Sequence, residues 1–310
     1  MLTHRGYVPA VIEAQELTKD YGEKRAVDGL SFAVQPGIVT GFLGPNGSGK
    51  STTMRLILGL DRPTAGDATV NGRHYAEHTA PLHEVGALLE ARSIHTGRSA
   101  SNHLRALAQT HGISKRRVAE LIDFVGLHDV GRKRAGQFSL GMGQRLGVAS
   151  ALLGDPHTLI LDEPVNGLDP EGIQWIRNLL KQLAAEGRTI FVSSHLMGEM
   201  ALTADHLIVI GRGKLIADTS VEEFVRRASR NVVRVRSPQA LLLAEALAAP
   251  NVTVTPVEPG VLEVEGLDAA AIGDAALAKH IAIHELTPQQ ASLEQAFMDL
   301  TRDDVEFRAA

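Results

Sequence analysis

A glycine-rich segment between an apolar strand and an apolar helix carries the clearest chemistry in the sequence. It fits the pattern G-x-x-x-x-G-K-[ST], and its residues are Gly44, Pro45, Asn46, Gly47, Ser48, Gly49, Lys50, Ser51 and Thr52. Glycines let a backbone wrap so that its N–H groups face phosphate oxygens, and the positive end of the following helix adds to that attraction. We expect Lys50 to reach the β- and γ-phosphates of ATP and Ser51 to hold Mg²⁺. A chance glycine-rich turn is the alternative, but it would not require the flanking strand and helix.

Two acids follow a second apolar run, about 110 residues downstream of the glycine-rich segment. Thr158–Leu161 is predicted to be a buried strand, and Asp162 and Glu163 come directly after it. A strand tip beside a phosphate loop suits a carboxylate that faces Mg²⁺, and we assign that role to Asp162, acting through water. Glu163 is then the candidate general base that polarises the attacking water. Two solvated loop acids are the alternative reading.

Together these motifs resemble the nucleotide-binding subunit of an ATP-binding cassette (ABC) transporter, over about residues 11–225. Tyr21 precedes Gly44 by 23 residues, where that family has an aromatic side chain that stacks on adenine. The segment from Asn166 to Pro170 resembles the family's D-loop, which contacts the opposite subunit. His195 matches the family's switch histidine, which senses the γ-phosphate. The resemblance implies an ATPase that uses ATP and Mg²⁺.

The family signature Leu-Ser-Gly-Gly-Gln is only partly present in this chain. Phe138 to Met142 occupy the matching positions, and Leu140 replaces the first glycine. The resemblance implies that Ser139 and Gly141 meet the γ-phosphate bound on a second copy of the chain. We expect two copies to sandwich two ATP molecules, with Leu140 restricting the loop.

A second departure from the family lies at its mobile glutamine, where this chain has Glu90. We include Glu90 among the metal-binding candidates because a carboxylate can bind Mg²⁺ directly and also repel a γ-phosphate that lacks its metal. The hypothesis is that Glu90 makes ATP affinity unusually dependent on Mg²⁺. The alternative is that Glu90 only contacts the membrane partner, for which the segment 90–103 is the expected docking site.

The elements that must position these residues alternate between strands and helices, which predicts an α/β fold. By resemblance it is a P-loop NTPase of ABC type, with a RecA-like core, an antiparallel β subdomain and a helical subdomain at about residues 92–150. Within the helical part, periodicity predicts helices over Asn102–His111, Lys115–Val125 and Gln144–Leu153. We expect residues 1–10 to form a loose tail and the ATPase domain to span residues 1–228.

A small α+β domain is predicted for residues 229–310, in the order βαββαβ that is typical of ferredoxin-like folds. Its elements are the strand Val232–Val235, the helix Pro238–Ala248, the strands Val252–Pro256 and Val261–Val264, the helix Ala269–Lys279, the strand Ile281–Leu286 and the helix Leu293–Thr301. Since no binding motif is recognisable in it, we favour a dimerising or scaffolding role over a ligand sensor.

Composition restricts the kinds of partner and of chemistry that are open to this 310-residue chain. Its formal net charge is −5, so we expect no nucleic-acid partner, and it contains no cysteine, so disulfides and thiolate chemistry are excluded. No apolar stretch approaches the roughly 18 residues that a membrane span needs. Any role at a membrane therefore requires a separate permease chain.

The departures at Leu140 and Glu90, and the closing segment 292–301, resemble those of drug, antibiotic and bacteriocin exporter ATPases. We therefore expect an ATP-hydrolysing exporter subunit that is cytoplasmic and peripheral on the inner face of the cell membrane. An importer subunit and a soluble, non-transport ABC ATPase are the alternatives. The chain has a single cassette and no heptad repeat of a long coiled coil, which disfavours the soluble, non-transport ATPase. The transported substrate is not encoded in this chain, because the permease mainly selects it.

Overall fold

The computed structural model describes residues 11–90, 94–228, 232–289 and 292–301, and the chain forms two compact units. The first unit comprises residues 1–220 together with 301–310, and the second comprises residues 221–300. Among the described residues no helix is both long and apolar enough to cross a membrane.

Within the described residues, the first unit is built from nine strands and seven α-helices, with three short 3-10 helices between them. Its strands are β1 (Ile12–Tyr21), β2 (Lys24–Val34), β3 (Val39–Leu43), β4 (Ala65–Val70), β5 (Val85–Leu88), β6 (Thr158–Leu161), β7 (Thr189–Ser193), β8 (His206–Gly211) and β9 (Lys214–Ser220). Its helices are α1 (Lys50–Ile57), α2 (Pro81–Glu84), α3 (Ala100–Thr110), α4 (Lys115–Phe124), α5 (Leu140–Ala151), α6 (Pro170–Ala185) and α7 (Met197–Thr203).

The main sheet has six strands in the order β5-β6-β7-β3-β8-β9. All neighbours are parallel except β8 and β9, which form an antiparallel edge. The three strands β3, β6 and β7 are buried along their whole length, as parallel strands covered on both faces must be. The parallel arrangement brings the carboxyl ends of β3, β6 and β7 to one edge, where the predicted site residues follow them.

A second sheet is antiparallel, with the order β2-β1-β4. Its Phe32 stacks on Phe191 of the main sheet with ring centroids 5.7 Å apart, and Phe42 lies 5.0 Å from Phe191. The two sheets therefore share one apolar core. The predicted α/β fold class, with its antiparallel subdomain and its helices, is confirmed.

The helical part of this unit comprises α3, α4 and α5, and each of these helices begins after a serine. Ser99, Ser114 and Ser139 accept a hydrogen bond from a backbone N–H in the first turn of the helix that follows. Such N-caps satisfy N–H groups that have no partner within the helix. For this reason α3 and α5 begin two and four residues earlier than their apolar periodicity alone predicts.

The second unit has its own sheet and core. Its elements are α8 (Val221–Ala228), β10 (Val232–Arg236), α9 (Ala240–Ala246), β11 (Thr253–Glu258), β12 (Val261–Glu265), α10 (Ala269–Ala278), β13 (Glu285–Gln289) and α11 (Leu293–Thr301). The strand order β11-β12-β10-β13 is antiparallel throughout, so the unit has the split βαβ topology of a ferredoxin-like fold.

Several elements differ from their sequence predictions. The last strand of the small unit spans Glu285–Gln289, not Ile281–Leu286, because Ile281 packs into the apolar core before pairing with β10 begins at Glu285. The strands β4 and β9 were not predicted, since they are mostly exposed and carry no run of apolar residues. The expected tail at residues 1–10 and the segment 91–93 lie outside the described residues.

Candidate active site

The phosphate loop runs from the end of β3 to the start of α1, and two of its glycines are required by close approach. A Cβ added to Gly44 would lie 2.4 Å from Ser48 Oγ, and one added to Gly49 would lie 2.4 Å from the backbone oxygen of Ala26. Gly49 also has a φ of 105°, which L side chains rarely adopt. The loop can therefore wrap this tightly only because glycine occupies both positions.

The side chain of Lys50 lies against the backbone of this loop, and the residue is only 8% exposed. Its Nζ donates to the backbone oxygen of Gly44 at 2.6 Å and to that of Pro45 at 3.1 Å. Burial lowers the pKa of Lys50, while the nearby charges of Glu163 and Asp162 act in the opposite direction. The geometry thus holds a positive charge inside the loop, where phosphate oxygens would compensate it.

Asp162 links three of the elements that meet at this edge of the sheet. Its Oδ2 accepts a hydrogen bond from Ser51 Oγ at 2.6 Å, and its Oδ1 accepts one from Ser193 Oγ at the end of β7. The backbone N–H of Asp162 donates to the oxygen of Leu88 at 2.7 Å. A hydroxyl and a carboxylate oxygen are therefore adjacent beside the phosphate loop, which is the pair of oxygen ligands that suits Mg²⁺.

Magnesium in nucleotide sites is usually held by one or two carboxylates together with phosphates and water, not by a full cage of side chains. The described part of the chain contains no group of three or more His, Cys, Asp or Glu side chains that could hold a metal ion. The paired oxygens of Ser51 and Asp162 fit a magnesium ion that shares its coordination with ATP.

Glu163 has both its backbone and its carboxylate fixed. Its φ is +51°, in the left-handed region that non-glycine residues seldom occupy. Its N–H donates to Ser193 Oγ at 3.0 Å, and its backbone oxygen accepts from Gln144 Nε2 at 2.8 Å. Its Oε2 lies 2.7 Å from His195 Nδ1 and accepts a longer bond from the His195 N–H. The base candidate and the switch histidine are therefore in direct contact.

A cleft of about 530 Å³ brings most of the predicted site residues together. Those that line it are Tyr21, Asn46, Gly47, Ser48, Gly49, Lys50, Ser51, Thr52, Glu90, Asp162 and Glu163. Gly44, Pro45, Ser139, Gly141 and His195 are not among its described lining residues. His195 instead contacts Glu163, whereas Ser139 and Gly141 lie at the start of α5 on either side of Leu140, which does line the cleft.

Tyr21 stands at the rim of the cleft with 48% of its surface exposed. Its hydroxyl donates to Asp61 Oδ2 at 2.8 Å, and Arg55 Nε donates to the same oxygen at 2.7 Å. Lys19 Nζ lies 5.0 Å from the centre of the Tyr21 ring. Desolvation raises the pKa of Tyr21, and the hydrogen bond to Asp61 adds to that rise. An aromatic ring held in one orientation at this position can stack on a nucleobase.

The unusual Leu140 packs against the loop that precedes α6. A Cβ added to Gly167 would lie 2.2 Å from Leu140 Cδ2, and Gly141 lies against the backbone oxygen of Gly167. Ser139 caps α5 by accepting from the N–H of Met142 at 3.2 Å. The leucine is therefore accommodated by a glycine opposite, and the N-terminal end of α5 keeps its capped conformation.

Three residues of this site were not predicted from the sequence: Ser193, Gln144 and Asp61. Ser193 had a usable signal, because it ends a strand that lies beside the strand bearing Asp162. Gln144 and Asp61 had none, since their contacts depend on how distant segments pack. Glu90 is exposed and lines both the cleft and an adjoining groove of about 580 Å³.

Comparisons with known proteins agree with this geometry. The profile of the family described as "ABC transporter" matches residues 27–166, and a domain of unknown function matches residues 231–294. The bacitracin transport ATP-binding protein BcrA of Bacillus licheniformis is 41% identical over 220 residues, covering 70% of this chain and 72% of that protein. The linearmycin resistance ATP-binding protein LnrL of Bacillus subtilis is 32% identical, covering 94% of this chain and 98% of that protein.

Solved structures give the same result for the first unit. The structure of an ATP-binding subunit of an ABC transporter has a TM-score of 0.64 and 27% sequence identity, and the match covers 70% of this chain and 92% of that one.

Proposed function

The chain belongs to the ABC transporter family and is an ATP hydrolase, and from that premise we propose that it energises the export of a drug, antibiotic or peptide through a separate membrane permease. The hydrolytic part rests on the convergence of Ser51, Asp162, Glu163 and His195 beside the phosphate loop. The export part rests on relatives named for bacitracin transport and linearmycin resistance.

In the proposed reaction Glu163 acts as the general base. Its carboxylate takes a proton from a water molecule while the water oxygen bonds to the γ-phosphorus. The bond from that phosphorus to the bridging oxygen breaks, ADP leaves with the electron pair, and inorganic phosphate is the second product. His195 supports this role because its Nδ1 lies 2.7 Å from Glu163 Oε2 and orients the carboxylate.

Magnesium is the metal that this site is proposed to use. Ser51 and Asp162 would hold it, and Mg²⁺ would supply positive charge against the β- and γ-phosphates. Lys50 adds a second positive charge from the loop itself. Preorganised charges of this kind account for most of the catalysis in phosphoryl transfer.

Each complete site is proposed to need a second copy of the chain. Ser139 and Gly141 lie at the capped N-terminal end of α5 and are not among the described residues that line the cleft of their own chain, although Leu140 between them is. A helix N-terminus attracts anions, so this end is suited to a γ-phosphate bound on the other copy. The working form is therefore an ATP-dependent dimer, peripheral on the cytoplasmic face of the membrane. The small second unit is proposed to support dimerisation.

The substitution Glu163→Gln tests the hydrolytic mechanism. It keeps the shape of the side chain and removes the base, so ATP binding should persist while hydrolysis falls by a factor of about 100 or more. Single-turnover hydrolysis and nucleotide titration measure the two separately. A variant that hydrolyses ATP at the normal rate would exclude Glu163 as the base.

Purification of the tagged chain from detergent-solubilised membranes tests the transport role. Export predicts that a multi-span membrane chain comes down with it. Recovery with ribosomes or DNA instead would favour the soluble, non-transport alternative. If an extracellular binding protein were required for the complex to hydrolyse ATP, the importer alternative would be supported.

A further inference from the structure

Gln144 is a buried residue of α5 that contacts the backbone of the proposed catalytic base, Glu163. It lies on α5, is 1% exposed, and its Nε2 donates to the backbone oxygen of Glu163 at 2.8 Å. Its Oε1 is buried and has no hydrogen-bond partner. A buried amide oxygen without a partner costs free energy. The hydrogen bond from the amide nitrogen to Glu163 offsets part of that cost.

The bond matters because the backbone of Glu163 is in an unfavourable conformation. A φ of +51° at a non-glycine residue persists only where the surroundings hold it. The structure supplies three hydrogen bonds to this backbone. Its N–H donates to Ser193 Oγ, and its oxygen accepts from Gln144 Nε2 and from the backbone N–H of Asn166 at 3.1 Å. Gln144 is the side chain that reaches it from α5, so the direction in which the Glu163 carboxylate leaves the main chain depends in part on this helix.

The same helix carries the residues expected to meet the other ATP. Ser139 caps α5, and Gln144 lies five residues further on, about 7.5 Å along the helix axis at 1.5 Å per residue. Gly147 packs tightly on the strand β5, since a Cβ there would lie 2.6 Å from Leu88 Cδ1. The expected contact with the other ATP, Gln144 and the contact with β5 therefore all lie on one helix.

We propose that Gln144 is a positioning residue that aligns Glu163, and that it does so from the helix whose start is expected to engage the ATP of the opposite site. Ser139 and Gly141 of one copy would contact the ATP bound on the other copy. Gln144 of the first copy would then align its own Glu163, so each bound ATP would promote hydrolysis of the other. The proposal rests on the proposed function, because it requires both Glu163 as base and the ATP-dependent dimer.

The test compares substitutions that differ in the hydrogen-bond donor. Gln144→Met has a similar shape and no donor, and Gln144→Glu has the same shape and no amide donor. Both should lower kcat by about tenfold, the typical effect of losing one bond to a buried group, with the KM for ATP changed less than twofold.

The matched control is Gln182→Met on α6. Gln182 also donates an amide hydrogen bond within the first unit, to Glu186, but on an exposed face. This variant should keep the kcat of the unaltered chain. Melting temperature and nucleotide titration are measured for every variant, so that a folding defect in one is recognised from the others.

A second readout separates alignment of the base from a purely structural role. In the Glu163→Gln background, ATP-driven dimerisation followed by light scattering should be unaffected by Gln144→Met. In the active chain, the Hill coefficient for ATP hydrolysis should exceed 1 and fall to about 1 in Gln144→Met. Loss of dimerisation, or a Hill coefficient that does not change, would overturn the proposal.

Different results would overturn the proposed function and the role of Gln144. If the unaltered chain does not hydrolyse ATP, or does so without Glu163, the proposed function is wrong. If the unaltered chain is active and Gln144→Met and Gln144→Glu have the same kcat as it does, only the role of Gln144 is wrong.

Discussion

At the residue scale, the orientation of Tyr21 depends on a small polar network and not on burial. Asp61 accepts from the tyrosine hydroxyl, and its position is set in turn by two bonds from Arg55. Lys19 lies over the ring and donates to the backbone oxygen of Arg62 at 2.7 Å. An exposed ring gains little from packing, so these contacts supply the order that stacking on adenine needs.

The substitution Asp61→Ala should therefore weaken ATP binding without slowing chemistry. Losing one exposed hydrogen bond is worth about 0.5–1 kcal/mol, which is a two- to fivefold rise in KM with kcat unchanged. Tyr21→Phe removes the same bond from the other side and should have a similar effect. In the double variant the two effects should not add, which steady-state kinetics can measure. Additive effects would mean that the Tyr21–Asp61 bond plays no part in binding.

Glu90 gives a second prediction at the residue scale, on the metal dependence of ATP binding. Its carboxylate shares the cleft with Ser51 and Asp162, so it adds negative charge beside the expected magnesium position. We expect Glu90→Gln to raise the affinity for metal-free ATP, because it removes a negative charge near the γ-phosphate. The ratio of the ATP affinity with Mg²⁺ to that without Mg²⁺ should therefore fall by about threefold or more, as expected for one nearby charge. Nucleotide titration in EDTA and in Mg²⁺ measures that ratio. An unchanged ratio would leave Glu90 only as a contact for the permease.

The sequence was informative about this site where a motif has a fixed local geometry. The loop from Gly44 to Thr52 is contiguous, and Asp162 and Glu163 follow a strand whose edge could be inferred. The supporting residues Gln144, Ser193 and Asp61 act through contacts 19, 30 and 40 residues apart in the chain. Such contacts depend on packing, so local pattern could not indicate them.

At the element scale, the contact between the end of α5 and the strand β5 depends on a missing side chain. A Cβ added to Gly86 would lie 2.0 Å from the backbone oxygen of Ala151 and 2.8 Å from Pro156 Cγ. A backbone oxygen at a helix end cannot move aside as a flexible side chain can. The strand β5, which leads directly to Glu90, is therefore held in place by this close approach.

The substitution Gly86→Ala should destabilise the first unit by about 1–3 kcal/mol, as overpacked cores do. At about 2–4 °C per kcal/mol for a unit of this size, its melting temperature should fall measurably in calorimetry. Gly198→Ala on α7 is the matched control. Nothing lies within 4 Å of a Cβ there, so it should be neutral or stabilising by about 0.5–1 kcal/mol. Equal melting temperatures for the two variants would contradict the packing argument.

Trp175 on α6 contacts a residue of α5, so its fluorescence can report a shift of α5 relative to α6. It is the one tryptophan of the sequence, and Arg145 of α5 lies over its ring at 4.9 Å. Phe124, at the end of α4, meets the same ring edge-on at 6.4 Å. A shift of α5 against α6 would change this cation–π contact and therefore the fluorescence of the indole.

We expect Mg²⁺ and ATP to change the emission of Trp175 in the Glu163→Gln chain, because that form keeps the dimer closed. The change should be smaller in Arg145→Met, which retains bulk but removes the cation over the ring. The control Trp175→Phe should abolish the signal. Identical changes with and without Arg145 would show that the fluorescence reports something other than the position of α5.

Element prediction from sequence succeeded where apolar periodicity and length were both strong. Thr158–Leu161 has the predicted bounds, because a fully buried parallel strand is a continuous apolar run. The edge strand β9 was missed because its pairing with β8 gives it no apolar pattern of its own. Helix starts were displaced because serine caps, and not apolar residues, determine where α3 and α5 begin.

At the scale of the whole molecule, each unit has a hydrophobic cluster among its described residues, and the two clusters share no residue. One includes Phe32, Phe42 and Phe191, and the other is formed by the sheet and helices of the small unit. The residues that line the nucleotide cleft all belong to the first unit, and the last of them is Asn166. Nucleotide binding is therefore a property of the first unit.

A chain that ends after Ser220 should consequently bind ATP with an affinity within about twofold of the full-length chain, since it keeps its own core and every described residue of the cleft. Titration with a fluorescent ATP analogue measures this affinity, and circular dichroism checks that the shortened chain is folded. The full-length Lys50→Ala variant is the control for loss of binding, because it removes the positive charge from the loop. If the small unit supports dimerisation as proposed, the shortened chain should need a higher protein concentration for half-maximal hydrolysis per site. A folded shortened chain that loses tenfold in ATP affinity would instead place part of the nucleotide site in the second unit.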